Sequence, residues 1–76
     1  MKKHTSNIIC DPEVMMGKPV IKGTRITVEI IIRKLAGGFS ENEILEMYPH
    51  LTREQLYAAF EYAADILAEQ TTSIAA

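Results

Sequence analysis

The stretch Gly17–Val28, which reads GKPVIKGTRITV, constrains the fold of this 76-residue chain more than any other. Pro19 has no backbone N–H, so the residues around it can form an extended edge or a turn but not a central strand. The Val20–Ile21 pair is β-branched and favours a short extended segment. Gly23 permits a positive φ and hence a tight turn, after which Thr24–Ile26 lead into a helix. The sequence therefore predicts strand and turn before this point and helix after it.

Ahead of this stretch the sequence predicts a short strand and one helical turn. Ile8–Cys10 is expected to form the strand and to pair with Val20–Ile21. The Asp11–Pro12 pair is typical of a helix start, with aspartate as N-cap and proline at the first helical position. Val14–Met16 would complete one turn, which Gly17 would end.

The first long helix is predicted from apolar residues at i, i+3, i+4 and i+7, namely Val28, Ile31, Ile32 and Leu35. Thr27 is expected to cap its start, and Gly37–Gly38 to end it. The same β-branched run also favours a strand, and this alternative stays open. Ile30 lies off the apolar face and needs burial elsewhere, against the opening segment or another chain.

The second and third helices each begin with a capping box. Ser40 and Glu43 form the first box, and Thr52 and Gln55 form the second. The third helix is expected to end near Glu69. Its predicted apolar face comprises Leu56, Ala59, Phe60, Ala63 and Leu67. This order predicts a mainly α fold, a three-helix helix-turn-helix bundle after a short extended or β segment, and the last helix of such a domain enters the major groove of DNA.

Length and composition indicate one small domain spanning residues 1–76, with 1–6 and 71–76 expected to be flexible. A chain of this size buries only about 60% of the surface that its unfolded form exposes, so a partner or a second copy would add stability. Cys10 is the single cysteine, and such usage fits a reducing compartment. Neither a signal-peptide core nor a membrane span is evident, so a cytoplasmic protein is expected.

The net charge of −2 is unevenly distributed along the chain. Residues 1–40 contain seven basic and three acidic side chains, a balance of +4, whereas residues 41–76 contain one arginine and seven acidic side chains, a balance of −6. Contact with nucleic acid is therefore expected through the first half or a helix terminus. The acidic third helix is a poor electrostatic match for phosphate along its length, which counts against a DNA-binding function.

Three segments resemble the bacterial and archaeal family named domain of unknown function 433, and they read DPEVMMGKPVIKGTRITV, LAGGFSENEILEMYPHLT and AAFEYAA. The resemblance covers roughly residues 8–68 and rests on five motifs: Asp11–Pro12, Gly17–Pro19, Gly23–Ile26, Gly38–Ser40 and Tyr48–Thr52. It implies a homeodomain-like helix-turn-helix fold. It also implies the antitoxin half of a type II toxin–antitoxin module, which masks a PIN-like ribonuclease toxin and binds its own operator DNA.

Candidate DNA contacts lie at the start of the third helix, because recognition helices read bases mostly through their N-terminal residues. Arg53, Gln55 and Tyr57 are the candidates there. The alternative is an ordinary solvated face, and Glu54 and Glu61 support it.

Basic residues of the first half are candidates for phosphate contacts. Lys22 and Arg25 are the leading ones, with Lys18, Arg33 and Lys34 in support. Arg25 could also meet a carboxylate of the toxin. The alternative, which we favour for Arg25, is that it pairs with an acidic residue or with helix-end carbonyls and holds the turn.

A predicted interface with a second copy or with the toxin comprises Tyr62, Ile66 and Ile74, whose apolar surface exceeds what a three-helix core needs. The alternative is that these residues fold back on Ile8–Cys10. Catalysis, a metal site and a cofactor are not expected, because no phosphate loop, metal motif or nucleophile elbow is present. A second functional hypothesis is a dimeric protein-interaction module that does not bind DNA.

Overall fold

The computed structural model describes residues 7–71. These residues form a two-stranded antiparallel sheet followed by three α-helices: β1 Ile8–Ile9, β2 Val20–Ile21, α1 Val28–Ala36, α2 Glu41–Met47 and α3 Arg53–Thr71. Ile8 pairs with Ile21, and Ile9 pairs with Val20. The predicted strand, the three helices and their order are confirmed.

The turn after β2 is built around Gly23, whose φ of 81° confirms the positive φ expected there. The Thr24 hydroxyl donates to the carbonyl oxygen of Ile21 at 2.8 Å and accepts from the N–H of Ile26 at 2.9 Å. The N–H of Ile21 in turn donates to the carbonyl oxygen of Ile26 at 2.9 Å. These hydrogen bonds, with a further one from the N–H of Thr24 to the carbonyl oxygen of Ile21 at 2.9 Å, close the turn and direct the chain from β2 into α1.

Side chains from every one of these elements meet in one core. The fully buried ones include Ile21 of β2, Ile31 of α1, Ile44 of α2 and Leu56 of α3. α3 packs against both α1 and β1. None of the helices within residues 7–71 is long and apolar enough to cross a membrane.

The helix starts follow the predicted capping residues. The Thr27 hydroxyl accepts from the N–H of Ile30 at 3.0 Å, and the segment from Val28 is a helix rather than a strand. Ser40 and Glu43 bond reciprocally at 2.8 and 3.1 Å. Thr52 and Gln55 do the same at 3.0 and 3.1 Å. The two capping boxes therefore satisfy the first N–H groups of α2 and α3.

The predicted helical turn over Val14–Met16 lies one residue further along, as a short 3₁₀ helix at Met15–Gly17, and Asp11 does not cap it. The Asp11 side chain accepts from the N–H of Glu13 at 2.9 Å, and its carbonyl oxygen accepts from the N–H of Val14 at 2.8 Å, which makes a β-turn. Met15 and Met16 then have φ values of 49° and 59°, in the left-handed region. A segment this short between two paired strands cannot recover the cost of α-helix nucleation, so the chain makes a β-turn and a single 3₁₀ turn instead.

Leu67 was predicted to lie on the apolar face of α3, but its side chain is 59% exposed. None of the other described elements covers α3 at this turn. The apolar pattern of the helix therefore extends beyond the part that packs against the core. The helix is described to Thr71, in agreement with an end predicted near Glu69. Of the segments 1–6 and 71–76 that are expected to be flexible, Thr71 belongs to α3 and the other residues lie outside the described ones.

We expect Gly23→Val to lower the free energy of unfolding by about 1–3 kcal/mol, because a β-branched residue is strained at positive φ. The added side chain meets open space, since an added Cβ has no neighbouring atom within 4 Å, so the loss measures backbone strain rather than a clash. Urea denaturation gives the difference. The control is Lys22→Ala, an exposed neighbour, and equal stability of the two variants would contradict the prediction.

Candidate functional site

The start of α3 is tied to the start of α2 by a small polar network, which we call the α2–α3 corner and which consists of Glu41, Asn42, Arg53 and Tyr57. The Arg53 guanidinium donates to Glu41 Oε1 at 2.8 Å and to Asn42 Oδ1 at 2.7 Å. The Tyr57 hydroxyl donates to the same Glu41 oxygen at 3.0 Å. The Glu41 carboxylate of α2 therefore orients the side chains of both Arg53 and Tyr57 on α3.

The three predicted base-reading residues of α3 all have intramolecular partners. Arg53 and Tyr57 belong to the α2–α3 corner, and the Gln55 side chain accepts from the N–H of Thr52 in the capping box. A base or phosphate would have to replace Glu41 beside Arg53, and Gln55 is not free to read a base while it caps the helix. Their assignment to DNA stays a prediction.

Sequence reasoning did not find the partners of Arg53. Glu41 lies in the first turn of α2, where an acidic side chain complements the helix dipole, and this local role does not predict a contact with Arg53. The contact of Arg53 with Glu41 and Asn42 spans 12 and 11 residues along the chain. It depends on the angle between two helices, which capping signals do not encode.

Lys22 and Arg25, the leading candidates for phosphate contact in the first half, are both exposed. Lys22 lies on the Gly23 turn, and Arg25 lines an open groove beside the first turn of α1. No hydrogen bond or ion pair joins Arg25 to any residue within 7–71. The expected pairing of Arg25 with an acidic residue or helix-end carbonyls is therefore wrong for the described chain, because the nearest carboxylate of α1 has other partners.

That carboxylate belongs to Glu29, which two other cations hold. Its side chain accepts from Arg33 Nε at 3.0 Å and from Lys18 Nζ at 3.3 Å. The Arg33 guanidinium first, and then the Lys18 ammonium, lower the pKa of Glu29 below its ordinary value. Since Glu29 is ionised at neutral pH, it offsets one of the three positive charges along the groove.

The predicted interface residues have different surroundings. Tyr62 is half-buried against the opening segment, with its hydroxyl oxygen 3.9 Å from Cys10 Sγ, and burial raises its pKa. This placement agrees with the alternative in which the residue folds back on Ile8–Cys10. Ile66 is half-buried, and Ile74 lies outside the described residues. Leu67, rather than any of these, is the most exposed large apolar side chain of α3.

Comparison with known proteins finds one matching family model, described as a protein of unknown function (DUF433), over residues 8–63. A similar solved structure is that of a DUF433 member protein from Anabaena variabilis ATCC 29413, which is 32% identical with a TM-score of 0.80 and covers 95% of this chain and 71% of that one. An uncharacterised protein, y4eO of Sinorhizobium fredii, is 34% identical over 56 residues. Those residues make up 74% of this chain but only 25% of that relative, so the chain spans a quarter of its length.

A double-mutant cycle on Arg53→Ala and Glu41→Ala should give a coupling of about 0.2–1 kcal/mol, because solvent screens an ion pair whose side chains are 46% and 40% exposed. Urea denaturation of the four proteins measures it. The matched control cycle uses Glu46→Ala in place of Glu41→Ala, because Glu46 is exposed on the same helix and its side chain has no hydrogen bond or ion pair with the described residues. A coupling above about 2 kcal/mol would contradict the description of Arg53 and Glu41 as a solvent-screened surface ion pair. It would indicate instead that the α2–α3 corner fixes the two helices relative to each other.

The Arg33→Ala substitution and the Lys18→Ala substitution should each move the pKa of Glu29 up towards its ordinary value, because both cations lower it. A folded-state pKa below the unfolded value stabilises the fold at higher pH, and that contribution is lost as the pH falls through the folded-state pKa. NMR titration of the Glu29 carboxyl measures both shifts. An unchanged pKa in Arg33→Ala would contradict the ion pair.

Proposed function

Because this chain belongs to the DUF433 family, we propose that it is the DNA-binding antitoxin of a type II toxin–antitoxin module. In this role it neutralises a PIN-like ribonuclease toxin in the cytoplasm and binds operator DNA as a homodimer. The family is described as having unknown function. The toxin half of the proposal therefore depends on the sequence resemblance, and the DNA half depends on the arrangement of α2 and α3.

The observation that supports the DNA-binding role is the order of elements, α2 followed by a tight turn and α3, together with exposed side chains at the start of α3. Arg53 and Tyr57 lie in the first two turns of α3, and both are exposed. In helix-turn-helix proteins the N-terminal residues of the second helix contact base edges. An arginine at such a position can bind guanine through two hydrogen bonds.

Phosphate contacts would come from the basic first half of the chain. Lys22 and Arg25 are exposed, and neither has a hydrogen bond from its side chain to the described residues. Such side chains can displace counterions from DNA without breaking an internal contact. They would position α3, while Arg53 and Tyr57 would supply the sequence preference.

Toxin neutralisation would use apolar side chains that the isolated chain leaves exposed. Leu67 is 59% exposed and Met16 is 90% exposed. Burying such side chains against a partner stabilises a complex by roughly 25 cal/mol for each Å² of apolar surface removed from water. The mechanism would be steric, with the antitoxin covering the surface through which the toxin reaches RNA.

One observation favours the second candidate, a dimeric protein-interaction module that does not bind DNA. Arg53 is the single basic residue of residues 41–76, and Glu41 already neutralises it. The exposed face of α3 that follows carries Glu54 and Glu61. A helix with this charge would repel the phosphate backbone except at its first turn.

Binding of the purified protein to its own upstream DNA, measured across a salt series, separates the two functions. An operator complex should weaken steeply with salt, and the slope counts the phosphate contacts at about 0.9 for each phosphate neutralised. The second arm adds the product of the neighbouring gene and measures both its ribonuclease activity and DNA binding by the mixture. A protein that binds no upstream DNA in either arm is not a repressor, and one that leaves the nuclease active is not its antitoxin.

Arg53→Ala should weaken operator binding by about 1–3 kcal/mol while changing binding to random DNA much less, because a base contact is lost. The matched control is Arg33→Ala, in which a second exposed arginine paired with a single glutamate is removed. Arg33 lies on α1 rather than on the proposed recognition helix, so its loss should weaken operator and random DNA equally. Fluorescence anisotropy with both duplexes gives the two affinities. Equal behaviour of the two variants would contradict the recognition role of Arg53.

A further inference from the structure

An open groove of about 470 Å³ runs beside the first half of α1, and we call it the α1 groove. Its apolar lining comes from Met15, Ile26, Ile30 and Tyr48. Ile26, Ile30 and Tyr48 rest on the hydrophobic core but remain partly exposed, and Met15 is 39% exposed. Ile30 lies off the apolar face of α1, and the part of its side chain that stays exposed lines this groove. The volume is within the range of about 300–1,000 Å³ that is usual for ligand pockets.

Charged side chains surround this apolar lining. Lys18, Arg25 and Arg33 contribute three positive charges, and Glu29 contributes one negative charge. The lowered pKa of Glu29 keeps that group ionised at neutral pH. The groove therefore has a net charge of +2, and it lies in a protein whose total charge is −2.

Arg25 differs from the other two cations of the α1 groove. Lys18 and Arg33 both bind Glu29, at 3.3 and 3.0 Å, whereas Arg25 has no hydrogen bond or ion pair with the described residues. Its guanidinium offers its donors to a ligand without breaking an internal contact. Such a group binds carboxylate through two parallel hydrogen bonds.

The turn at one end of the groove is strained. Met15 and Met16 both have positive φ, a conformation that bulky residues rarely adopt. The turn holds Met15 in the groove and leaves Met16 90% exposed beside it. Methionine is flexible and polarisable, and it adapts to different apolar partners. The two residues with strained backbone are therefore also the ones whose apolar side chains are exposed to solvent.

We propose that the α1 groove binds an acidic peptide segment of a partner protein, with a carboxylate at Arg25 and an apolar side chain on Ile26, Ile30 and Tyr48. Charge complementarity and the apolar lining together select this occupant. A DNA backbone would satisfy the cations but would leave the apolar lining without a partner, because phosphates and sugars have no large apolar group to bury there. A neutral peptide would leave Arg25 unpaired.

This binding site shares only Arg25 with the operator contacts proposed above, and it does not require a nuclease toxin as partner. It requires only a partner with aspartate or glutamate next to a large apolar residue, and it uses neither Arg53 nor Tyr57. Operator binding can therefore be absent while peptide binding is present, or the reverse. Measuring the affinity for DNA and for peptide separately distinguishes these outcomes.

The test is selection of a displayed library of random peptides on the purified full-length chain. Enriched peptides should combine acidic and large apolar residues. A fluorescently labelled copy of the most enriched peptide is then titrated with each variant by anisotropy. Arg25→Ala should weaken binding by about tenfold or more, because a charge-assisted contact is lost. Met15→Gln should also weaken it, since this substitution removes apolar lining outside the core.

The matched control is Lys22→Ala, which removes an exposed cation that does not line the groove and should change the affinity by less than about twofold. Circular dichroism checks that each variant is folded. Enriched peptides without acidic residues, the absence of enrichment, or equal binding by Arg25→Ala would each overturn the proposal. Equal weakening of duplex-DNA binding by Arg25→Ala and Lys22→Ala, without peptide enrichment, would assign these cations to phosphate instead.

Discussion

The turn at Gly23 is the constraint on which the other elements depend. It places β2 and the start of α1 next to each other, with the hydroxyl of Thr24 bonded to both sides of the turn. Ile21 is fully buried on one side of this turn, and Val28 and Ile31 are buried on the other, all three in the same core. The positive φ at Gly23 lets the chain reverse between them. The turn also places Arg25 beside α1, so it connects the core with the α1 groove.

Local hydrogen bonds at the helix starts and longer-range hydrogen bonds between the helices both engage side chains that DNA binding would need. The capping box of α3 uses Gln55, so helix formation and base reading would require the same side chain. The α2–α3 corner similarly engages Arg53 and Tyr57 with Glu41. A recognition helix whose side chains are held in this way is ordered before DNA arrives, but it loses its internal partners when it binds. DNA binding would therefore be weaker than the exposed positions alone indicate.

The uneven charge of the chain separates two surfaces. The α1 groove belongs to the basic half, and α3 belongs to the acidic half. In the groove, three cations surround a half-exposed apolar lining, a combination that suits an acidic peptide. At the end of α3, Leu67 is exposed on an otherwise acidic helix. The chain therefore offers two chemically different surfaces to partners, and neither depends on the residues proposed to read DNA.

The amino-acid sequence by itself determined the elements and their boundaries, because capping boxes, glycine turns and proline act within a few residues. Thr27, Ser40 and Thr52 start the three helices where their side chains can reach nearby N–H groups. Asp11 was mispredicted as a helix cap because a helix start needs a following helix to stabilise it. Only the tertiary structure decided that Arg53 meets Glu41, that Leu67 is exposed and that Arg25 has no partner in the described chain. Those outcomes depend on distances and angles between elements far apart in sequence, which local side-chain preferences do not specify.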